Sequence, residues 1–427
     1  MPSAFDASRR MIEAILGAFS MDELRARQAP DTATPLKPWI RPSKHLDPAF
    51  TASHWRTLLA DHASEADRAA LLDAQSQTDM QSYAHNVENY IGTVKVPLGV
   101  IGPLRVNGVF AKGDYYAPLA TTEAALVASY GRGARLLSAA GGCTTGVMAE
   151  GVLRAPAFAL KDVTEAGMFV AWVIASFDTL KVVAESTTRH GKLTEISPHM
   201  EGCHVYLVCA FSTGDAAGQN MVTIAADAMC RHIEEHCPIK PLYWFVEGNF
   251  SGDKKASALS FLSVRGRKVT ATVELSGALI ASHLHTTAER MEQYWRMSAL
   301  GGVMSGSLGV QGHYANCLAA LYLATGQDVA CVAESAVGVT RMELRANDTL
   351  FVSVTLPNVI VGTVGGGTQL PSQAAALNIM GLRGSGHARA FAEICAAVCL
   401  AGELSIVGAL CAGEFARAHQ NLARGKA

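Results

Sequence analysis

Nine residues, Glu247-Gly248-Asn249-Phe250-Ser251-Gly252-Asp253-Lys254-Lys255, separate two apolar runs and constrain what can be built around them. The run before them, Leu242 to Val246, reads as a buried strand, and Ala256 to Val264 is apolar again. A tight loop with two lysines and an aspartate, wedged between core elements, is costly unless an anionic or electron-rich group uses it. A carboxylate beside a partly desolvated lysine keeps the ammonium charged, and an oriented ammonium stabilises an oxyanion. A surface turn with a Lys–Asp pair is the ordinary alternative.

Composition narrows the class. At 427 residues the chain is long enough for two or three domains. Apolar residues make up 49% and charged ones 17%, a balance that suits a soluble protein with much internal surface, often an oligomer. A net charge of -2 disfavours nucleic acid and anionic membranes as partners, so any basic site must be local. The ten cysteines lie in apolar stretches and never as Cys-x-x-Cys, which argues against structural zinc and for free thiols in a reducing, cytoplasmic setting. No metal site is expected. No signal peptide or membrane span is read, because Glu13 interrupts the early apolar patch and Glu393, Glu403 and Glu414 interrupt the last one.

In chain order, residues 1–26 and 49–75 have helical periodicity, with a proline-bearing linker at 27–44. Residues 88–104 are extended and lead to a hairpin with Asn107-Gly108 at its tip. Thr121-Thr122-Glu123 is expected to open a helix running to about Ala139, with Thr as its cap and Glu123 in its first turn. Ser129, Arg132 and Arg135 on that helix form a cationic face suited to phosphate. From Pro156 to Val246 the pattern alternates helix and strand, enough for an inserted domain of about 90 residues. Gly214-Asp215-Ala216-Ala217-Gly218-Gln219-Asn220 stands at a strand-to-helix junction, where an anion or dinucleotide can meet the helix N-terminus. It is not the usual dinucleotide-binding fingerprint. Glu185 to Lys192 combines hydroxyls and cations, and Gly365-Gly366-Gly367 suggests close backbone approach by a ligand. Asp328 follows a helix end at Gly326-Gln327, a poor place for a carboxylate unless a lysine is near. His419 sits close to the C-terminus, where an exposed side chain is the ordinary reading.

Together these segments resemble a known family. Glu88-Asn89 with Gly99 to Leu104, Thr121-Thr122-Glu123, Gly214 to Asn220, Gly248-Asn249 with Asp253-Lys254-Lys255, Gly326-Gln327-Asp328, Gly362 to Thr368 and Ala401-Gly402-Glu403-Leu404-Ser405 match, in order, the catalytic part of 3-hydroxy-3-methylglutaryl-coenzyme A reductases, from about residue 75 onward. The resemblance implies an α+β fold: a large mixed helical and sheet domain for acyl-CoA, residues 76–155 and 247–427, with an inserted ferredoxin-like cofactor domain, 156–246, after an N-terminal helical segment, 1–75. It implies reduction of an acyl-CoA thioester to an alcohol and free CoA by two NADPH, as in the conversion of HMG-CoA to mevalonate, at sites shared between subunits of a homodimer or homotetramer.

Carried over residue by residue, Lys254 stabilises the oxyanion, Asp328 bridges Lys254 and Glu123, Glu123 supplies a proton at the aldehyde stage, and His419 protonates the departing thiolate. Asp215, Ala216, Gly218, Asn220 and Val364, Gly365, Gly366, Gly367 match cofactor contacts, with Thr188 and Arg189 near the 2′-phosphate. Ser129, Arg132 and Arg135 match CoA contacts, and Arg154, Glu247, Asn249, Asp253, Lys255 and Asn316 surround the acyl group. Two positions depart from the family: Glu247 stands where it has serine, and Arg296 or Met297 where it has lysine. A glutamate about 4 Å from a substrate carboxylate would cost about 1 kcal/mol in water and about 4 at an effective dielectric of 20, unless Arg296 offsets it. A different acyl thioester is therefore the alternative substrate. A non-catalytic CoA- or nucleotide-binding protein is disfavoured, since the four catalytic positions are all retained.

Overall fold

A computed structural model describes residues 4–37, 47–60 and 63–415. The chain forms two compact units: residues up to 80 together with 87–93, and residues 81–86 together with 94 onward. The first unit is helical, and local capping divides what the sequence suggested as longer helices. Ser20 forms a reciprocal cap with Glu23, so Ala4–Ala18 and Met21–Gln28 are separate. The following stretch is Pro48–Leu59, Glu65–Leu71 and Ala74–Thr78, each begun by a capping Asp or Ser. Trp55 is buried here and donates its indole N–H to the Ile91 carbonyl at 2.9 Å, while Thr51 donates to Tyr90 O at 3.1 Å.

Among its described residues the second unit carries eleven strands: β1 Leu98–Gly108, β2 Lys112–Ala120, β3 Cys143–Arg154, β4 Ala157–Ala159, β5 Lys192–Glu201, β6 His204–Ser212, β7 Tyr243–Phe245, β8 Gly266–Ser276, β9 Gly309–Val310, β10 Gly338–Arg345 and β11 Thr349–Val359. Their order is β7-β4-β6-β3-β8-β11-β10-β9, with the β1–β2 hairpin attached through β1 to β3 and with β5 on β6. Strand β3 belongs to two layers. Its first part, Thr144 to Gly151, pairs with β8, and its last residues, Val152 to Arg154, pair with β6. Arg154 therefore sits where two hydrophobic cores meet.

The larger core wraps the helix Ala388–Cys411. This helix is long and apolar enough by composition to cross a membrane, but 89% of its apolar window is buried inside the protein. Its two buried carboxylates have partners, as buried charge requires. Glu393 accepts the N–H groups of Val109, Phe110 and Ala111 at the hairpin tip, and Glu403 accepts those of Gly312 and His313 and the Thr340 hydroxyl.

Residues 157–245 form a β-α-β-β-α-β unit with the antiparallel order β7-β4-β6-β5. Its first crossover is two helices, Val163–Ala175 and Phe177–Ser186, bent by 67°, and its second is Gln219–His236. Strand β7 lies where a buried strand was expected, but it is an edge strand that leaves Tyr243 and Phe245 mostly exposed, as does Leu242 just before it.

Candidate active site

The loop Glu247–Lys255 turns back at Gly252, where Lys255 N–H donates to Gly252 O at 3.1 Å. Asp253 and Lys254 are the central residues of this turn, and Lys254 has φ +58°, a left-handed conformation that non-glycine residues rarely adopt. Lys254 Nζ lies 2.9 Å from Asp328 Oδ2. That hydrogen bond raises the Lys254 pKa and keeps the amine an ammonium, while its side chain remains 43% exposed and open to a ligand. Asp328 is placed by Gly326, which ends the helix Tyr314–Thr325 at φ +70°, and by its bond from Ala330 N–H at 3.0 Å.

Beneath the lysine lies a nest of buried charges. Arg154 Nη1 is 3.2 Å from both Glu247 Oε2 and Asp253 Oδ2. Arg265, almost fully buried, binds Asp253 Oδ1 and faces Glu334 at 3.5 Å. Glu247 Oε2 also takes the Ser251 hydroxyl at 2.9 Å, and Phe250 packs on His199 and Tyr206, so the loop is fastened along its length. Asn249 adopts φ +62°, and Lys255 Nζ donates to Asp253 O at 2.8 Å. The Arg296 offset is not met: Arg296 pairs with Glu292 on its own helix, and Arg154 balances Glu247 instead.

Two glycine-bearing loops abut this nest. Thr363 N–H donates to Asp215 O at 2.9 Å, and a Cβ on Gly362 would stand 2.6 Å from Ala217 N, so only glycine permits the approach. Arg267, also buried, clamps the pair through the carbonyls of Gly214 and Val361. Gly214, Gly365 and Gly366 have positive φ and open space where a Cβ would stand, a cradle that fits a phosphate-bearing ligand at the helix start Gly218–Asn220. Asp215 itself accepts Gly386 N–H at 2.8 Å and Ala388 N–H at 3.1 Å. Burial works to raise its pKa, and these bonds with Arg267 outweigh it and hold the carboxyl low. Thr188 donates to Met221 Sδ at 2.8 Å and so ties the exposed Arg189 turn to the same helix.

A cavity of about 280 Å³ is lined by Glu123, Ser129, Arg132, Arg135, His313 and Phe415. The helix here begins at Leu126, because Ala125 adopts φ +70°; Glu123 lies ahead of it, its N–H on Thr121 Oγ1 and its carboxylate taking Asn316 Nδ2 at 3.2 Å. Arg132 is anchored on Ser405 O at 2.7 Å, while Arg135 has no ion-pair partner among the described residues.

A model of the family described as hydroxymethylglutaryl-coenzyme A reductase matches residues 52–424. The chain belongs to the 3-hydroxy-3-methylglutaryl-coenzyme A reductase family. It is 42% identical to the reductase of that name from Aeropyrum pernix over 392 residues, 90% of this chain and 92% of the relative. It is 45% identical to that of Methanothermobacter thermautotrophicus, over 80% and 85% of the two chains. The fold is similar to a class II 3-hydroxy-3-methylglutaryl-CoA reductase from Streptococcus pneumoniae, solved bound to NADPH, with TM-score 0.63, 19% identity and coverage of 82% of this chain and 98% of that one.

The candidate reductase residues fall in three groups. Lys254 and Asp328 join Arg154, Glu247, Asn249, Asp253 and Lys255; Asp215, Ala216, Gly218 and Asn220 join Val364 to Gly367; Glu123 and Asn316 join Ser129, Arg132 and Arg135. His419 lies outside the described residues. Sequence reasoning missed Arg265, Arg267 and Glu334, and gave no role to Gln219 and Gln327 within their motifs. Gln327 bonds both N–H and C=O of Gly362, linking the glycine loop to Asp328, and Gln219 bonds Arg154, Arg265 and Cys331. Arg265 and Arg267 signal themselves only as charges at the start of an apolar strand, and Glu334 as one carboxylate in a small-residue run.

Proposed function

We propose that the chain reduces 3-hydroxy-3-methylglutaryl-CoA to mevalonate and free CoA, using two NADPH. The reading is carried by the 2.9 Å contact between Lys254 Nζ and Asp328 Oδ2, joined through Gln327 to the paired glycine loops. Residues 156–246, with the β-α-β-β-α-β order of a ferredoxin-like domain, are assigned to the cofactor, and 76–155 with 247–427 to acyl-CoA. NADPH supplies the hydride at each of two reductions. Lys254, kept charged by Asp328, stabilises the oxyanion that forms on the thioester carbonyl and again on the aldehyde. Glu123 gives the proton at the aldehyde stage, and His419 protonates the CoA thiolate. Ten free thiols suit a cytoplasmic setting.

The site is read as shared between two copies, in a homodimer or homotetramer. Within one chain Glu123 binds Asn316 in the first turn of the helix Tyr314–Thr325, and Asp328 follows its far end; nine residues of helix between Asn316 and Thr325 span about 14 Å. A second chain that brings its Glu123 to Lys254 completes the set.

A second reading, favoured by one observation, changes the acyl end. Arg154 is already balanced by Glu247 and Asp253, and Glu247 Oε1 is buried with no hydrogen-bond partner, so this pocket suits an acyl group bearing a donor in place of a carboxylate. Steady-state NADPH oxidation with 3-hydroxy-3-methylglutaryl-CoA and with neutral hydroxyacyl-CoA thioesters decides between the two. The first reading expects the carboxylate-bearing substrate to be preferred; a preference of tenfold or more for the neutral ones would replace it.

A further inference from the structure

One short segment holds Lys254 at both ends. Asp328, at its start, binds the ammonium, and Glu334, six residues on in the helical turn Val332–Ser335, accepts the Lys254 backbone N–H on Oε1 at 3.0 Å. The second contact matters because of the turn geometry. Residue 254 occupies the third position of the turn closed by Lys255 N–H on Gly252 O, a position that favours glycine when φ is positive. Its own N–H faces away from that turn bond and needs another acceptor. Glu334 supplies it from full burial, with Arg265 facing its other oxygen at 3.5 Å.

We propose that Glu334 is a positioning residue for the reduction: by accepting the Lys254 N–H it holds residue 254 in the left-handed conformation that directs Nζ to Asp328. The role rests on the reading of Lys254 as the oxyanion stabiliser. The groups that face Glu334 are Lys254 and Asp253 from the loop, Arg265 from the segment before β8, Tyr322 from the preceding helix and Cys331 from its own segment. Burial is the main influence on its carboxyl, pushing it up to about 7, with Arg265 opposing. Gln at this position keeps an acceptor oxygen of the same reach, whereas Ala removes it.

Two readouts on the full-length protein test this. First, reaction of Lys254 with an amine-directed reagent is followed by peptide mapping in wild type, Glu334→Gln and Glu334→Ala. Loss of the Asp328 contact lowers the lysine pKa, so Glu334→Ala is expected to label at least threefold faster and Glu334→Gln at close to the wild-type rate. Second, kcat is expected to fall at least tenfold in Glu334→Ala with KM for NADPH unchanged, and to stay within threefold in Glu334→Gln. A folded Glu334→Ala protein with wild-type labelling overturns the proposal, as does Glu334→Gln labelling as fast as Glu334→Ala. Wild-type protein that reduces no thioester while the labelling pattern holds would instead overturn the functional reading and leave the positioning contact standing.

Discussion

The nest beneath Lys254 and the cavity beside Glu123 use the same kinds of side chain in opposite states. In the nest, Arg154 and Arg265 are almost wholly buried and matched against Glu247, Asp253 and Glu334. In the cavity, Arg132 is fixed on a carbonyl and Arg135 is left without an ion-pair partner among the described residues. Buried, mutually paired charge cannot serve an incoming ligand cheaply; it sets the backbone of the loop above it. Arg132 also has Glu414 at 3.9 Å, which leaves, among the described residues, the exposed Arg135 as the cation free to bind, and salt will weaken what it binds.

The contrast is broken most severely by removing one charge from the nest. Arg265→Ala leaves Glu334 without its buried cation and Asp253 with Arg154 alone, and a stability loss of about 3–5 kcal/mol is expected in denaturant unfolding; a loss under about 1 kcal/mol would mean that the nest is not mutually dependent. Next is the pH dependence of Glu334. Its folded pKa is raised from 4.5 to about 7, so its contribution to stability is full below about pH 4.5 and is lost as pH rises through about 7. The wild type should lose about 3 kcal/mol across that window relative to Glu334→Gln, at 1.36 kcal/mol per unit, as read from unfolding at pH 4.5 and 8. Parallel pH curves for the two proteins would remove the buried titration. The smallest effect is expected in the cavity: Arg135→Ala should raise KM for the acyl-CoA by about 3–10-fold, shrinking at high salt, with stability within about 0.5 kcal/mol of wild type.

What could be read in the sequence divides along the same line. The Asp253-Lys254-Lys255 loop, the Gly214 to Asn220 junction and the Gly362 to Thr368 run were visible because small residues cluster where chains approach closely. Their alliance was visible only from the order of motifs, since nothing local in Gly326-Gln327-Asp328 announces Lys254. Glu334 and Arg265 left no pattern: a single buried ion pair has no period, and its partner lies 69 residues away. Apolar content also misled at Leu242 to Val246, where an edge strand exposes residues that composition would bury. Glu123 was assigned to a helix that begins three residues later, because Ala125 takes a left-handed conformation that no propensity predicts.

The most direct measurement is NADPH oxidation coupled to thiol release by the purified protein with 3-hydroxy-3-methylglutaryl-CoA, compared with Lys254→Ala. The wild type should oxidise two NADPH for each free thiol released, and Lys254→Ala should turn over about 10²–10³-fold more slowly with NADPH binding unchanged. A Lys254→Ala protein that keeps the wild-type rate and stoichiometry would contradict the assignment of the oxyanion to this lysine.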